Sequence, residues 1–131
     1  MRKWVKLAER CEKAKGPDRE IDFKIGFATG WRRYIHDGND MIIDWEGNMF
    51  PDYYGSMLPS VTESLDAITA LIERELPGNM RSIRKYPDGE AVAQVWNSQV
   101  GETPRQRCCA SEALALCAAF CRAMNEKEAN A

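Results

Sequence analysis

The sequence of 131 residues lacks the features that most directly reveal an enzyme. It has a single histidine, His36, and contains neither a Gly-x-Ser-x-Gly elbow nor a phosphate-binding loop. The acid that follows in sequence, Asp37, is badly positioned to orient the imidazole as a base, because adjacent residues rarely reach that geometry. The sequence leaves enzymatic activity open but favours a non-enzymatic protein with no catalytic residues.

Long apolar runs and an excess of basic residues are also missing. No stretch approaches the roughly 18 apolar residues that span a bilayer, and the opening residues 1–4 lead into charged positions rather than into a signal-peptide core. A formal net charge of −2 argues against a dedicated duplex-binding protein, which usually carries a basic surplus. We expect a cytoplasmic protein that binds neither a membrane nor duplex DNA.

The five cysteines do not form the even, dispersed set that is typical of secreted disulfide frameworks. Cys117 and Cys121 lie in an apolar helical stretch, where free cysteines behave as small buried hydrophobic residues. Cys108 and Cys109 are adjacent, so in a strand they would point to opposite faces and could not both approach a tetrahedral zinc ion. The sequence predicts free thiols, no bound metal and no cofactor.

Apolar residues recur every three or four positions along much of the chain, which is typical of amphipathic helices. Three longer helices are predicted, at 2–15, 62–76 and 111–125. Clusters of turn-forming residues at 37–40 and 87–89 indicate antiparallel strand pairs. We therefore predict one α+β domain over 1–131, a three-layer α/β/α-type sandwich in which helices at the N-terminus, middle and C-terminus pack on a mainly antiparallel sheet. The two end helices carry complementary apolar stripes, so we expect them to lie side by side.

Three separated segments, 7–22, 61–67 and 110–119, are together similar to a family of small phage and prophage proteins, the phage αβα-sandwich domain. Their order and spacing match those of the family, and they bracket most of the chain. The resemblance implies a three-layer α/β/α arrangement and a gene carried by a bacteriophage or prophage, which places the protein in a host cytoplasm. It implies no catalytic residues, because the family has no established activity.

One short segment has a composition that is typical of binding surfaces. Aromatic and guanidinium groups alternate over 31–34, which suits stacking on a base or anchoring in a protein pocket. In a strand, the odd-numbered and even-numbered residues would occupy opposite faces; alternatively, one aromatic fills the core and the arginines line an edge. The loop 50–54 is similar in composition. The candidate binding residues are Trp31, Arg32, Arg33, Tyr34, Tyr53 and Tyr54.

The leading functional hypothesis is a non-enzymatic phage accessory protein that binds a host protein, plausibly in counter-defence. The alternative is a small-molecule binder, such as a sponge for nucleotide signals, in which the two arginines contact phosphate and an aromatic stacks on the base. A third hypothesis is a metal-dependent hydrolase using Asp18, Glu20 or Asp22, which requires at least two of these carboxylates to converge. The same acids would also be expected at the start of a helix near Pro17, where they cap it and have no catalytic or metal-binding role. The sequence leaves the oligomeric state open.

Overall fold

The computed structural model of the protein describes residues 2–51, 58–98, 100 and 108–130. Within these residues it has four helices and five strands. The helices are α1 (Arg2–Lys13), α2 (Arg19–Ala28), α3 (Leu65–Glu75) and α4 (Glu112–Ala129). The strands are β1 (Arg32–His36), β2 (Asn39–Ile43), β3 (Met49–Pro51), β4 (Met80–Lys85) and β5 (Ala91–Trp96).

The predicted fold class is confirmed: antiparallel strands combine with helices near the N-terminus, in the middle and near the C-terminus. The described strands form two small sheets rather than one continuous sheet, β1-β2-β3 and the hairpin β4-β5. His36 pairs with Asn39, so only two residues connect β1 to β2. Asp37 and Gly38 both have positive φ, 50° and 78°, which is the conformation that a tight two-residue hairpin turn requires.

Helix α4 is the centre of the fold. Every residue from 113 to 121 is buried, and the helix packs against α1, α3 and β5. The ring of Trp4 meets that of Phe120 edge to face, with centroids 5.8 Å apart, and both side chains are fully buried. The expectation that the two end helices lie side by side is therefore confirmed. The layers are arranged around this helix, with α1 and the β4-β5 hairpin both packed against it.

Helix α3 begins three residues later than the predicted start at residue 62. Its N-cap is Ser64, whose side chain accepts a hydrogen bond from the backbone N–H of Ala67 at 3.1 Å. Thr62 is buried instead, and both its backbone N–H and its Oγ1 donate to Asp22 Oδ1 at 2.8 Å. The threonine therefore connects the segment before α3 to helix α2, and Ser64 caps α3 in its place.

The three-stranded sheet has a hydrophobic cluster of its own, which we call the small core. Its buried members are Trp31, Ile42 and Leu58, and half-buried aromatic side chains from α2 and the sheet surround them. The ring of Trp31 lies 5.5 Å from that of Trp45 in an edge-to-face contact. The small core holds the sheet against α2. Within the described ranges, no helix has both the length and the apolar character needed to cross a membrane.

Candidate functional site

Trp31 and Arg33 both face helix α2. Trp31 immediately precedes β1, is only 6% exposed and belongs to the small core. Arg33 is the Cα partner of the buried Ile42, so the two side chains lie on the same face of the sheet. Its guanidinium carbon lies 5.3 Å from the ring centroid of Phe23 and 5.2 Å from that of Phe27. Cation–π contacts of this kind hold the arginine against the helix and link the sheet to it.

The opposite face of the sheet points away from α2, and we call it the outer sheet face. Arg32 and Tyr34 lie on it, in agreement with the predicted alternation along the strand. The Tyr34 hydroxyl donates a hydrogen bond to the Met49 sulfur, and its ring meets that of His36 edge to face at 6.1 Å. By the strand register, this face carries Arg32, Tyr34, His36, Met41, Ile43 and Met49.

Much of this surface is open to solvent. Met49 is 48% exposed, and the side chain of Arg32 is exposed without a hydrogen bond or ion pair to any residue that the structure describes. Among the described strands, β1 pairs with β2 alone, so it is an edge strand. Ile35 on this strand is 71% exposed, which is unusual for a large aliphatic side chain at an edge. A shallow cavity of about 370 Å³ lies beside it, lined by Arg33, Tyr34, Ile35, Asp40 and Met41.

The two tyrosines of the second candidate segment, Tyr53 and Tyr54, lie outside the described residues. Their part in a binding surface stays a prediction from the sequence. Phe50, which precedes them, packs against the small core. The candidate site therefore consists of residues of the three-stranded sheet.

The three carboxylates considered for metal chemistry are held by protein groups, and Arg10 pairs with both Asp18 and Glu20. Asp18 caps α2 and accepts hydrogen bonds from two backbone N–H groups of its first turn, at 2.9 and 3.2 Å. Asp22 is buried, where it binds Thr62 and pairs with Arg19 at 3.2 Å, while Glu20 is exposed. Over the described residues, no group of three or more His, Cys, Asp or Glu side chains is arranged to hold a metal ion. The geometry gives the hydrolase hypothesis no support.

A cluster of three cysteines between α1 and α4 was not predicted from the sequence. Cys11 of α1 is hydrogen-bonded to both Cys117 and Cys121 of α4, and all five cysteines of the chain are free thiols. Burial raises the pKa of Cys117 and Cys121 well above the ordinary thiol value, and it raises the pKa of Cys109 to about 12. These three thiols stay protonated near neutral pH and are poor nucleophiles. Cys11 differs from them, because its hydrogen bonds with Cys117 and Cys121 lower its pKa to about 5. A signal for the cluster was the position of each of its three cysteines on an apolar helical stripe.

Comparisons with known proteins find no matching family model, no matching curated protein and no matching solved structure. A function can therefore be proposed only from the geometry of this molecule. In that geometry, the outer sheet face brings together Arg32 and Tyr34 of the predicted binding segment and adds methionine and isoleucine side chains from the neighbouring strands.

Proposed function

We propose that the protein is a non-enzymatic binding protein that contacts a partner protein through the outer sheet face. The observation that carries the proposal is the open surface on which Arg32, Tyr34 and Met49 lie together. Tyrosine, arginine and methionine are enriched at the centres of protein interfaces, where they contribute a large share of the binding energy. Because Tyr34 already contacts Met49, its ring would lose less conformational freedom on binding than a freely rotating side chain.

The size of the surface supports a role as the centre of a larger contact. Three strands spaced about 4.8 Å apart, two of five residues and one of three, cover at most roughly 10 by 17 Å. Stable protein interfaces bury about 800 Å² on each partner, which is several times this area. A partner would therefore extend past the outer sheet face onto the edge of β1, where Ile35 is exposed. The outer sheet face would then act as the hot spot within that interface.

The proposed biological setting comes from the sequence resemblance. We propose a bacteriophage or prophage accessory protein whose partner is a host protein in the cytoplasm, with counter-defence as its role. The resembling segments, 7–22, 61–67 and 110–119, cover the second half of α1, the beginnings of α2 and α3, and the first half of α4. None of them includes the three-stranded sheet. Under this proposal, the core carries the family resemblance, and the sheet carries a partner choice specific to this chain.

A nucleotide ligand is less well supported at this surface than a protein partner. In that alternative both Arg32 and Arg33 contact phosphate, but their side chains lie on opposite faces of β1. Trp31, one of the two rings offered for base stacking, is buried in the small core. Tyr34 and Arg32 alone would provide one ring and one cation.

The proposal is tested by affinity purification of the tagged protein from a bacterial host lysate. Arg32→Ala and Tyr34→Ala remove side chains from the outer sheet face. Arg84→Ala and Tyr86→Ala are matched controls, because they remove the same chemical groups at or beside β4. We expect a stoichiometric host protein to be retained by the unmodified chain and both controls and to be lost with either outer-face variant.

Equal thermal unfolding of all four variants would show that each one is folded. Retention of the host protein by both outer-face variants would contradict the proposal, and so would its loss in the controls. A nucleotide that co-purifies in place of a protein, identified by mass spectrometry of the extracted ligand, would favour the alternative.

A further inference from the structure

A groove between α1 and α2 combines an apolar floor with a basic rim. Its volume is about 510 Å³, within the range of small-molecule sites. The floor is made by three apolar side chains, and the described lining residues include four cations and no carboxylate. The floor consists of Leu7, Phe27 and Ala28, and the rim of Lys3, Lys6, Arg10 and Lys24.

Helical spacing explains why these side chains meet. On α1, the lining residues Lys3, Leu7 and Arg10 are separated by four and three positions, so they lie along one side of the helix. On α2, Lys24 and Ala28 are likewise one turn apart. Both walls are regular helices rather than loops, so the groove exists before any ligand arrives.

Nearby acids pair with three of the four rim cations. Lys3 Nζ lies 4.0 Å from Glu128 Oε2, and an Arg10 guanidinium nitrogen lies 3.9 Å from Asp18 Oδ2. Arg10 pairs with Glu20 at 3.2 Å, and Lys24 reaches the same carboxylate at 3.9 Å. The side chain of Lys6 is exposed and has no hydrogen bond or ion pair among the described residues. An anionic group at the rim would therefore gain a cation that is not already paired.

We propose that this groove binds a small anionic amphiphile, a free molecule with a carboxylate-like head and an apolar body of fatty-acid size. The head would lie at the rim near Lys6, and the body would lie on the floor against Leu7 and Phe27. Both parts are needed, because the floor offers apolar contact and the rim offers charge. The proposal is independent of the outer sheet face, since no residue of that face lines the groove.

The experiment is a heteronuclear NMR titration of the full chain with decanoate below its micelle-forming concentration. We expect shifts confined to amides of α1 and α2 that line the groove. Octanoate should bind about fifteenfold more weakly, because each buried methylene contributes about fourfold in affinity and two are removed. Acetate, which has the head without the tail, and decyltrimethylammonium, which has the tail with a positive head, should produce no shifts at these amides.

Two charge-reversal variants separate the groove from general electrostatics. Lys6→Glu should weaken decanoate binding about five- to tenfold, because it replaces the unpaired cation by a like charge. Arg84→Glu on β4 changes the net charge by the same amount, and it should leave the affinity within twofold. Both positions are exposed, and thermal unfolding would confirm that each variant is folded.

Several results would overturn the proposal. These are an unchanged affinity in Lys6→Glu, equal weakening in Arg84→Glu, or decanoate shifts that fall outside the groove. Vesicles of phosphatidylglycerol and phosphatidylcholine provide the last arm. If they shift the groove amides while monomeric decanoate does not, the groove contacts a membrane surface and the proposal of a free ligand fails.

Discussion

The two hydrophobic clusters of this protein differ in how completely they are enclosed. The main core surrounds α4, where an unbroken run of buried residues contacts helices and the β4-β5 hairpin. The small core has three buried members, and its remaining contacts are half-buried aromatic side chains. Regions with few buried apolar contacts open at lower free energy than a continuous core. We therefore expect contacts around α4 to contribute most of the free energy of unfolding, whereas the three-stranded sheet has exposed positions that can serve recognition.

The largest effect is expected from truncation in the main core. Phe120→Ala removes a fully buried ring that contacts Trp4, and it should lower the free energy of unfolding by about 3–5 kcal/mol. Urea denaturation followed by circular dichroism measures this change. A loss below about 1 kcal/mol would mean that α4 is not the centre of stability, since surface substitutions alone reach roughly 0.5 kcal/mol.

A smaller effect is expected in the small core. Ile42→Ala removes a fully buried side chain, and large-to-small changes of this type cost about 2–5 kcal/mol. We expect a value near the lower end, about 2 kcal/mol, because the half-buried surroundings can relax into the space. Urea denaturation of this variant beside Phe120→Ala gives the ranking directly. A greater loss in Ile42→Ala than in Phe120→Ala would reverse the comparison.

Removal of the contact between α2 and the residues before α3 should lower the free energy of unfolding by an intermediate to small amount. Asp22→Ala removes the carboxylate that accepts from the backbone N–H and the Oγ1 of the buried Thr62, and it removes one of the partners of Arg19. Unsatisfied buried groups cost about 1–3 kcal/mol, so we expect roughly 2 kcal/mol in thermal or urea unfolding. Glu20→Ala is the control, because its ion pairs are exposed and should contribute at most about 0.5 kcal/mol. Equal losses in the two variants would refute the role given to the buried carboxylate.

The smallest effect on stability is expected on the outer sheet face. Arg32→Ala and Met49→Ala alter exposed side chains and should each change the free energy of unfolding by less than about 0.5 kcal/mol. Differential scanning calorimetry resolves such a change as a small shift of the midpoint. A loss above about 1.5 kcal/mol in either variant would assign the surface to folding rather than recognition, because it would exceed the range of ordinary surface substitutions.

Most helices could be predicted because each carries an apolar stripe that local periodicity reveals. The start of α3 could not, since Thr62 is held by Asp22, forty positions away in sequence. The central position of α4 was missed for a related reason. Local periodicity predicts an apolar stripe on one side of α4, but its alanine- and cysteine-rich sequence is apolar on all sides. A helix of that kind is typically buried on all sides.

The candidate site was predictable in part. Strand alternation placed Arg32 and Tyr34 on one face and Trp31 and Arg33 on the other. The contact between Tyr34 and Met49 depends on the pairing of three strands, which no local pattern specifies. The groove between α1 and α2 likewise depends on how two helices pack, so the individual stripes gave no indication of it.

The most direct test of this account is native-state hydrogen exchange of the unmodified protein across a range of urea concentrations below unfolding. We expect amides of 114–124 in α4 to exchange only by global unfolding. Amides of 39–43 in β2 should exchange through local opening at a lower free energy that depends little on urea. A single shared opening free energy for both segments would contradict the division of the protein into a stabilising core and a separable sheet.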